Sequence, residues 1–166
     1  LVSGSRAVAP FARRTPLRVA FLAGLALAIV AFASGYSASG TGYIEAKAIL
    51  TGSGDFDPWY PLNKMAATTA SYLTGIPGGI FAPSLAAGAG VGADLGHWLP
   101  IAPLSVMILL GMVGYFAGVV QSPLTAFVIV VEMTAERDMI LPLLATAFIA
   151  YGASHLVCPR PLYLSL

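Results

Sequence analysis

The sequence predicts an all-α membrane protein whose helices are tilted, partly re-entrant and broken at a binding site. Of the 166 residues, 58% are hydrophobic and only 9% are charged, whereas a soluble domain carries about 25% charged residues. The chain also contains 18 glycines and 12 prolines, many of them inside apolar segments. A charge near the centre of a bilayer is costly, so the four long charge-free intervals of this chain indicate membrane-embedded helices.

The composition excludes several other classes of protein. The net charge is only +1, so no broad basic surface exists for a nucleic-acid partner. One cysteine and two histidines provide neither a disulfide within the chain nor a plausible metal cluster. We therefore expect no enzyme and no cofactor.

The first predicted helix covers residues 17–36. Its apolar part, Val19 to Tyr36, has 18 residues and would be about 27 Å long, close to the thickness of the hydrocarbon core. Four arginines precede or begin this helix, which makes residues 1–16 a cytoplasmic basic segment by the positive-inside rule. The apolar stretch is long and no soluble domain follows it, so we do not expect a cleaved signal peptide.

A mostly polar connection follows the first helix and contains a short helix-like piece from Tyr43 to Leu50. A broken helix pair is predicted over residues 61–99, because glycines and Pro77 interrupt the charge-free interval in its middle. The break lies about 12 residues after Lys64 and 14 residues before Asp94. Neither side then holds a full span, which favours two half-helices, the second from near Gly79 to about Trp98.

Three further helices are predicted over residues 103–156. Gln121, Ser122 and Pro123 divide the first from the second. The second, Pro123 to Thr134, has 12 residues and would be about 18 Å long, too short to cross a bilayer alone. Irregular backbone inside the membrane is tolerated only where protein surrounds it or where it lines a water-filled cavity. The positions at which the helices are interrupted are therefore the candidate functional positions.

The break before Pro83 has the properties of an anion site. The first N–H groups of a helix lack intrahelical partners and carry a partial positive charge, and glycines leave those donors accessible. The interval contains no Lys or Arg, so we expect dipoles rather than a full counter-charge to hold an anion that must also leave. The alternative is an ordinary loop between two spanning helices.

A family resemblance is found at the same residues. The run Gly78-Gly79-Ile80-Phe81-Ala82-Pro83 resembles the GxFxP anion-site motif of the CLC family of chloride channels and chloride/proton antiporters. The resemblance continues in the same order through four more segments: Gly111 to Gly118, Ser122 to Thr134, Leu141-Pro142 and Arg160-Pro161-Leu162-Tyr163. Order and spacing are similar to those of the carboxy-terminal half of a CLC subunit, which is half of an inverted-repeat fold.

The resemblance implies a function and a site. The backbone N–H groups of Ile80 and Phe81, next to Gly79, would point at a chloride, and the hydroxyl of Tyr163 would donate to it from the other side. Residues 161–166 would begin the last helix. Chloride is then the ligand of a bacterial inner-membrane, multi-pass transport protein.

The resemblance also implies partners. The amino-terminal half of the subunit would supply the other anion-binding segments and the gating glutamate, which are not in this chain. A homodimer would form through the helices that begin near Pro123 and Met139.

Three polar residues are not assigned to the site, and two alternative functions remain. Glu132, His97 and His155 are interpreted as polar residues near helix ends rather than as a proton relay or ligands. A different broken-helix transporter, for an organic anion or amino acid, is the first alternative function. A truncated subunit that does not conduct and acts only in assembly is the second.

Overall fold

The computed structural model describes residues 15–53, 57–73 and 79–158, and these residues form an all-helical structure. Its helices are α1 (Pro16–Ala33), α2 (Tyr43–Thr51), α3 (Tyr60–Leu73), α4 (Phe81–Trp98), α5 (Leu104–Val120), α6 (Pro123–Thr134), a 3₁₀ turn (Arg137–Met139) and α7 (Ile140–Val157). Within this part of the chain there is no strand.

Residues with left-handed backbone conformation end or begin several of these helices. Gly35 and Tyr36 have φ values of 57° and 68°, so α1 ends at Ala33 and does not continue to residue 36 as the apolar stretch predicts. Gly42 and Gly52, with φ of 77° and 64°, flank α2. Gln121, with φ of 54°, separates α5 from α6.

Helix α5 is the centre of the core. Phe116, Val113 and Ala117 on α5 are fully buried. Helix α4 packs against one side of α5 and α7 against another, while α6 contacts both α5 and α7. Helix α3 packs against both α1 and α4, and the short α2 packs against α4.

The contact between α4 and α5 depends on glycine. A Cβ placed on Gly88 would lie 2.6 Å from the carbonyl oxygen of Gly111, and one placed on Gly92 would collide with the carbonyl oxygen of Met107. A Cβ placed on Gly111 would likewise meet the backbone of Gly88 and Gly92. The two helices therefore touch backbone to backbone, as small residues spaced four apart allow in membrane proteins.

The helices differ in how far they could cross a bilayer. Helix α7, with 18 residues and a mean hydropathy of 1.7, is the one described helix that is both long and apolar enough to span a membrane. The apolar segment Leu17–Ala33 of α1 and the apolar helices α5 and α6 are shorter, with 10–17 residues each. Helix α7 also exposes large apolar side chains such as Leu141, Ile149 and Leu156.

Helix α4 agrees with the bounds predicted for the second helix of the broken pair, near Gly79 to about Trp98. It covers Phe81–Trp98 and has 18 residues, or about 27 Å at 1.5 Å per residue. Asp94 lies inside this helix, so the helix extends beyond the charge-free interval.

Candidate anion site

The candidate site lies at the amino-terminal end of α4. Ile80 occupies the N-cap position, and the N–H of Ser84 donates to the carbonyl oxygen of Ile80 over 3.0 Å, beginning the helical hydrogen-bond pattern. Pro83 has no backbone N–H. It fits the first turn of a helix, because an N–H at that position would have no intrahelical acceptor. The partial positive charge of α4 is therefore concentrated at the backbone N–H groups of Ile80, Phe81 and Ala82.

A cavity of about 470 Å³ lies in front of this helix end. Helix α4 and the residues before it contribute Gly79, Phe81, Ala82 and Pro83 to its wall. The rest of the wall comes from α1, α3 and the α1–α2 connection: Leu27, Ala31, Ala38, Ser39, Gly40, Thr41, Lys64, Ala67, Thr68, Ser71 and Tyr72.

The four residues predicted for the site have different positions. Gly79 and Phe81 line the cavity. Ile80 is buried, with 1% of its surface exposed, and its side chain faces a much smaller neighbouring cavity of about 20 Å³. Tyr163 lies outside the described residues, as do residues 74–78 of the predicted break.

Lys64 places a full positive charge in the wall of this cavity, which the sequence analysis missed. Its side chain is 1% exposed. The ammonium Nζ donates to three successive carbonyl oxygens, those of Ala38, Ser39 and Gly40, over 3.1, 3.2 and 2.9 Å. The expectation that dipoles alone hold an anion stays a prediction, to which the structure adds a lysine that lies outside the charge-free interval in sequence but lines the same cavity in space.

A signal for this arrangement was present in the sequence of α3. Lys64, Thr68, Ser71 and Tyr72 follow one another at positions i, i+4, i+7 and i+8, which is the spacing of a single helical face. All four line the cavity. A polar stripe of this kind inside an apolar segment indicates that this face of the helix contacts water rather than lipid.

Gly42 makes room for the lysine. Its φ of 77° is unfavourable for other residues, and a Cβ there would lie 2.6 Å from the Cβ of Ala86, 2.8 Å from the Cε of Lys64 and 2.9 Å from the hydroxyl of Tyr60. The α1–α2 connection can therefore approach α3 closely enough for its carbonyl groups to reach the ammonium.

Electrostatically, the cavity is suited to an anion. Among the residues that the structure describes, its lining includes one cation, no carboxylate, and hydroxyl groups from Ser39, Thr41, Ser71 and Tyr72. Glu45, outside this lining, interacts electrostatically with the lysine. The hydroxyl of Thr68 donates to the Lys64 carbonyl over 2.7 Å. A helix amino terminus and a buried ammonium both raise the local potential, and the low dielectric of the surroundings strengthens their effect.

The phenyl ring of Phe81 anchors this helix end to the core. Its centroid lies 5.2 Å from that of Phe116 with an angle of 62° between the ring planes, an edge-to-face arrangement that aromatic pairs prefer. Because Phe116 is fully buried, the first turn of α4 is fixed relative to α5.

Glu132, His97 and His155 lie away from the cavity. Glu132 is near the end of α6, and His155 is in the last turn of α7. His97, in the last turn of α4, has its Nδ1 2.8 Å from the carbonyl oxygen of Ala93. In the part of the chain that the structure describes, no three His, Cys, Asp or Glu side chains gather as a metal site would require.

Comparison with known proteins adds to this geometry. The sequence model of the family described as voltage gated chloride channel matches residues 1–155. This chain belongs to the CLC family. Its all-α fold and its integral membrane character agree with that membership.

Three curated relatives that the chain matches are each named H(+)/Cl(-) exchange transporter ClcA. The protein from Vibrio parahaemolyticus is 34% identical over 111 residues, and that from Vibrio cholerae is 35% identical over 112 residues. Each match covers 63% of this chain and 24% of the relative. The protein from Yersinia pestis is 35% identical over 106 residues, which is 60% of this chain and 22% of the relative.

The CLC chain thus spans about a quarter of the length of the curated relatives it matches. These relatives are named as transporters, not as enzymes. No solved structure matches the chain.

Proposed function

We propose that this chain is the carboxy-terminal half of a CLC-type transmembrane domain and that it carries part of a chloride pathway. The cavity at the amino terminus of α4 supports the proposal most directly, because it combines a helix amino terminus with the ammonium of Lys64 and, among the described residues, no carboxylate lines it. Both groups favour an anion, while Glu45 lies outside the cavity wall and partly offsets the charge of Lys64.

In this proposal, chloride exchanges part of its hydration shell for groups of the protein. The backbone N–H groups at Ile80 and Phe81 are its donors on the α4 side, and the hydroxyl of Tyr163 is its donor on the other. Gly79 keeps the approach clear, since a Cβ there would have no heavy atom within 4 Å. The ammonium of Lys64 attracts chloride as a charge at a distance, because its own hydrogen bonds go to backbone carbonyls. Weak, shared ligation of this kind lets an ion enter and leave.

The same proposal assigns the remaining regions. Residues 1–16 form a basic cytoplasmic segment, 17–36 the first helix, 61–99 the broken pair, 103–156 three helices and 161–166 the start of the last helix. An amino-terminal half completes the anion site. The outward apolar faces of α6 and α7, which include Leu124, Val128 and Leu141, form a homodimer contact in the inner membrane.

Proton-coupled exchange is the proposed mode of transport, since the curated relatives are named as exchange transporters. An exchanger moves protons against their gradient when a chloride gradient drives it, whereas a channel does not. Liposomes that contain the complete protein, with this chain and its amino-terminal half, should acidify or alkalinise when a chloride gradient is imposed. Chloride flux with no proton movement would show a channel instead.

Substitution of Gly79 tests the site itself. Gly79→Leu places a side chain in the cavity, and we expect chloride affinity, measured by calorimetry on the complete protein, to fall at least tenfold, about 1.4 kcal/mol. The matched control is Gly24→Leu on the exposed side of α1, where a Cβ also meets nothing within 4 Å. Unchanged affinity in the Gly79 variant would contradict the site.

Two other outcomes distinguish the alternative functions. Sodium-dependent uptake of an organic anion, with no response to chloride, would identify a different broken-helix transporter. Absence of any flux when both halves are present would identify a non-conducting assembly subunit.

A further inference from the structure

The α1–α2 connection, residues 34–42, has two faces of different chemistry. On its inner face, the carbonyl oxygens of Ala38, Ser39 and Gly40 all accept hydrogen bonds from the ammonium of Lys64. Lys64 is 1% exposed and Ala38 is 3% exposed, so these oxygens point toward a buried group. Ser39, Gly40 and Thr41 are themselves exposed, and all three line the cavity in front of α4.

The N–H groups of the same segment point the other way. A peptide group is planar and trans, so the N–H of each residue is directed opposite to the carbonyl group of the residue before it. Because the carbonyls of Ser39 and Gly40 face the buried ammonium, the N–H groups of Gly40 and Thr41 face the exposed side of the connection. Neither N–H donates to a backbone carbonyl among the described residues, whereas that of Ser39 donates to Tyr36 over 3.0 Å.

The two adjacent N–H groups form a concavity suited to an anion. Successive N–H groups in a turn conformation bind anions in many proteins, and the φ of 63° at Gly40 supplies the turn. The approach is open, because a Cβ on Gly40 would have no heavy atom within 4 Å. The hydroxyl groups of Ser39 and Thr41 belong to the same stretch of cavity wall. The Oγ1 of Thr41 accepts from the N–H of Tyr43 over 3.4 Å, which leaves its hydrogen available to a ligand.

Lys64 supplies positive charge to this concavity without touching an ion. Its ammonium binds the carbonyl ends of the peptide groups whose N–H ends belong to Gly40 and Thr41. A hydrogen bond at one end of a peptide group polarises it and makes the other end a better donor. The charge of the lysine is thus relayed through two peptide groups to the exposed side of the connection. Helix α4 contributes a different part of the cavity wall and is not part of this relay.

We propose that the N–H groups of Gly40 and Thr41, together with the hydroxyl groups of Ser39 and Thr41, form a second site for a small anion in this cavity. The inference rests on the proposed function, because the anion would be chloride. A water molecule occupies about 30 Å³ in the liquid, so a cavity of about 470 Å³ has room for two partly hydrated ions. Two anions in one cavity repel each other, which helps each of them to leave.

Bromide is the probe that locates both sites. Crystals of the complete protein, with this chain and its amino-terminal half, should be grown with bromide in place of chloride. We expect one anomalous peak within hydrogen-bond distance of the N atoms of Gly40 and Thr41, and another at the amino terminus of α4.

The position of the peaks separates this inference from the proposed function. A peak at α4 alone would overturn the second site and leave the proposed function standing. A peak at the α1–α2 connection alone would support the second site and contradict the one at α4. No peak at either place would overturn both.

A pair of variants at Thr41 tests the backbone donor. Thr41→Val and the α-hydroxy acid of valine at the same position differ only in the N–H group, which the ester replaces by oxygen. The bromide peak at the connection should persist in Thr41→Val and disappear in the ester, while the α4 peak stays in both. Chloride affinity, measured by calorimetry, should be about tenfold lower in the ester, because a hydrogen bond to a charged group is a strong one. Equal peaks and affinities in the two variants would identify an adventitious ion only and overturn the proposal.

Ser39→Asp tests the site without altering the backbone, since the ester also weakens the Gly40 carbonyl as an acceptor for Lys64. A carboxylate on this exposed stretch of the wall should remove the bromide peak and lower chloride affinity several-fold. The matched control is Ser53→Asp, which adds the same charge at an exposed residue that does not line the cavity. Affinity should be unchanged in this control. Equal losses in the two variants would assign the effect to net charge and refute the second site.

Discussion

Glycine has opposite roles just before α4 and in the middle of that helix. At the amino terminus, Gly79 borders open space, and a Cβ there would meet no heavy atom within 4 Å. Three turns later, Gly88 and Gly92 lie directly against the backbone of α5. The first region lines a cavity whose wall contains both polar and apolar residues, and the second is closely packed against a neighbouring helix.

The difference shows how a rigid helix can support an open site. The close contact with α5 fixes the middle of α4, and the edge-to-face pair of Phe81 and Phe116 fixes its first turn. The cavity can then remain open at the helix end, because its wall is held by contacts elsewhere. Identical substitutions in the two regions should therefore have different consequences.

The largest effect is expected for Gly92→Ala in the packed region. The new methyl group meets the backbone of Met107 and Ile108, which cannot rotate away as a side chain could. Overpacking typically costs about 1–3 kcal/mol, and the upper end of that range is expected here. The midpoint of thermal unfolding in detergent, monitored by size-exclusion chromatography, should fall by several degrees.

The control for that prediction is Gly24→Ala on α1, where the same methyl group has nothing within 4 Å. Alanine in a helix interior favours folding by about 0.5–1 kcal/mol over glycine, so the midpoint should stay or rise slightly. If Gly92→Ala behaved like this control, the backbone contact between α4 and α5 would be disproved.

An intermediate effect is expected for Lys64→Met in the cavity region. The variant removes the positive charge and leaves the carbonyls of residues 38–40 without their donor. Hydrogen bonds to charged groups contribute about 1.5–3 kcal/mol, so stability should fall. Chloride affinity measured by calorimetry should fall about tenfold, or ~1.4 kcal/mol.

Lys47→Met on α2 is the matched control, because Lys47 is exposed and does not line the cavity. It should change neither the unfolding midpoint nor chloride affinity. Equal losses in the two lysine variants would mean that net charge alone, rather than the position of Lys64, is responsible.

The smallest effect is expected for Gly79→Ala. A single methyl group extends into unoccupied space, so the unfolding midpoint should be unchanged and chloride affinity should fall by no more than about twofold, or ~0.4 kcal/mol. Measured beside Gly92→Ala, this variant compares one substitution in two environments. A large loss of stability at Gly79 would remove the distinction between the two regions.

Much of the helical architecture could be predicted because its breaks are local. Proline and glycine interrupt the apolar segments where α3 gives way to α4 and where α5 gives way to α6, and Pro123 begins α6. Gly79 and Phe81 could be assigned to the site because a helix amino terminus is a property of a few adjacent residues. The end of α1 was misplaced, since apolar character alone does not reveal the left-handed Tyr36.

The remaining features depend on residues that are distant in sequence. The polar stripe of α3 shows which face is wet, but nothing in its spacing reveals that Lys64 binds carbonyls 24 to 26 residues earlier. Likewise, the sequence around Gln121 indicates a helix break but does not reveal that its side-chain amide donates to the carbonyl oxygen of Cys158 over 2.7 Å. The contact proposed for Tyr163 stays a prediction.

The three carbonyl groups around Lys64 have a consequence for how the pathway responds to an ion. They replace the water molecules that would otherwise solvate the ammonium, so its solvation shell is built into the fold before any anion arrives. In the proposed pathway, such a lysine cannot swing toward a passing chloride and trap it as a tight ion pair. Each ion would meet the same electrostatic potential, and little reorganisation energy would be spent when it moves on.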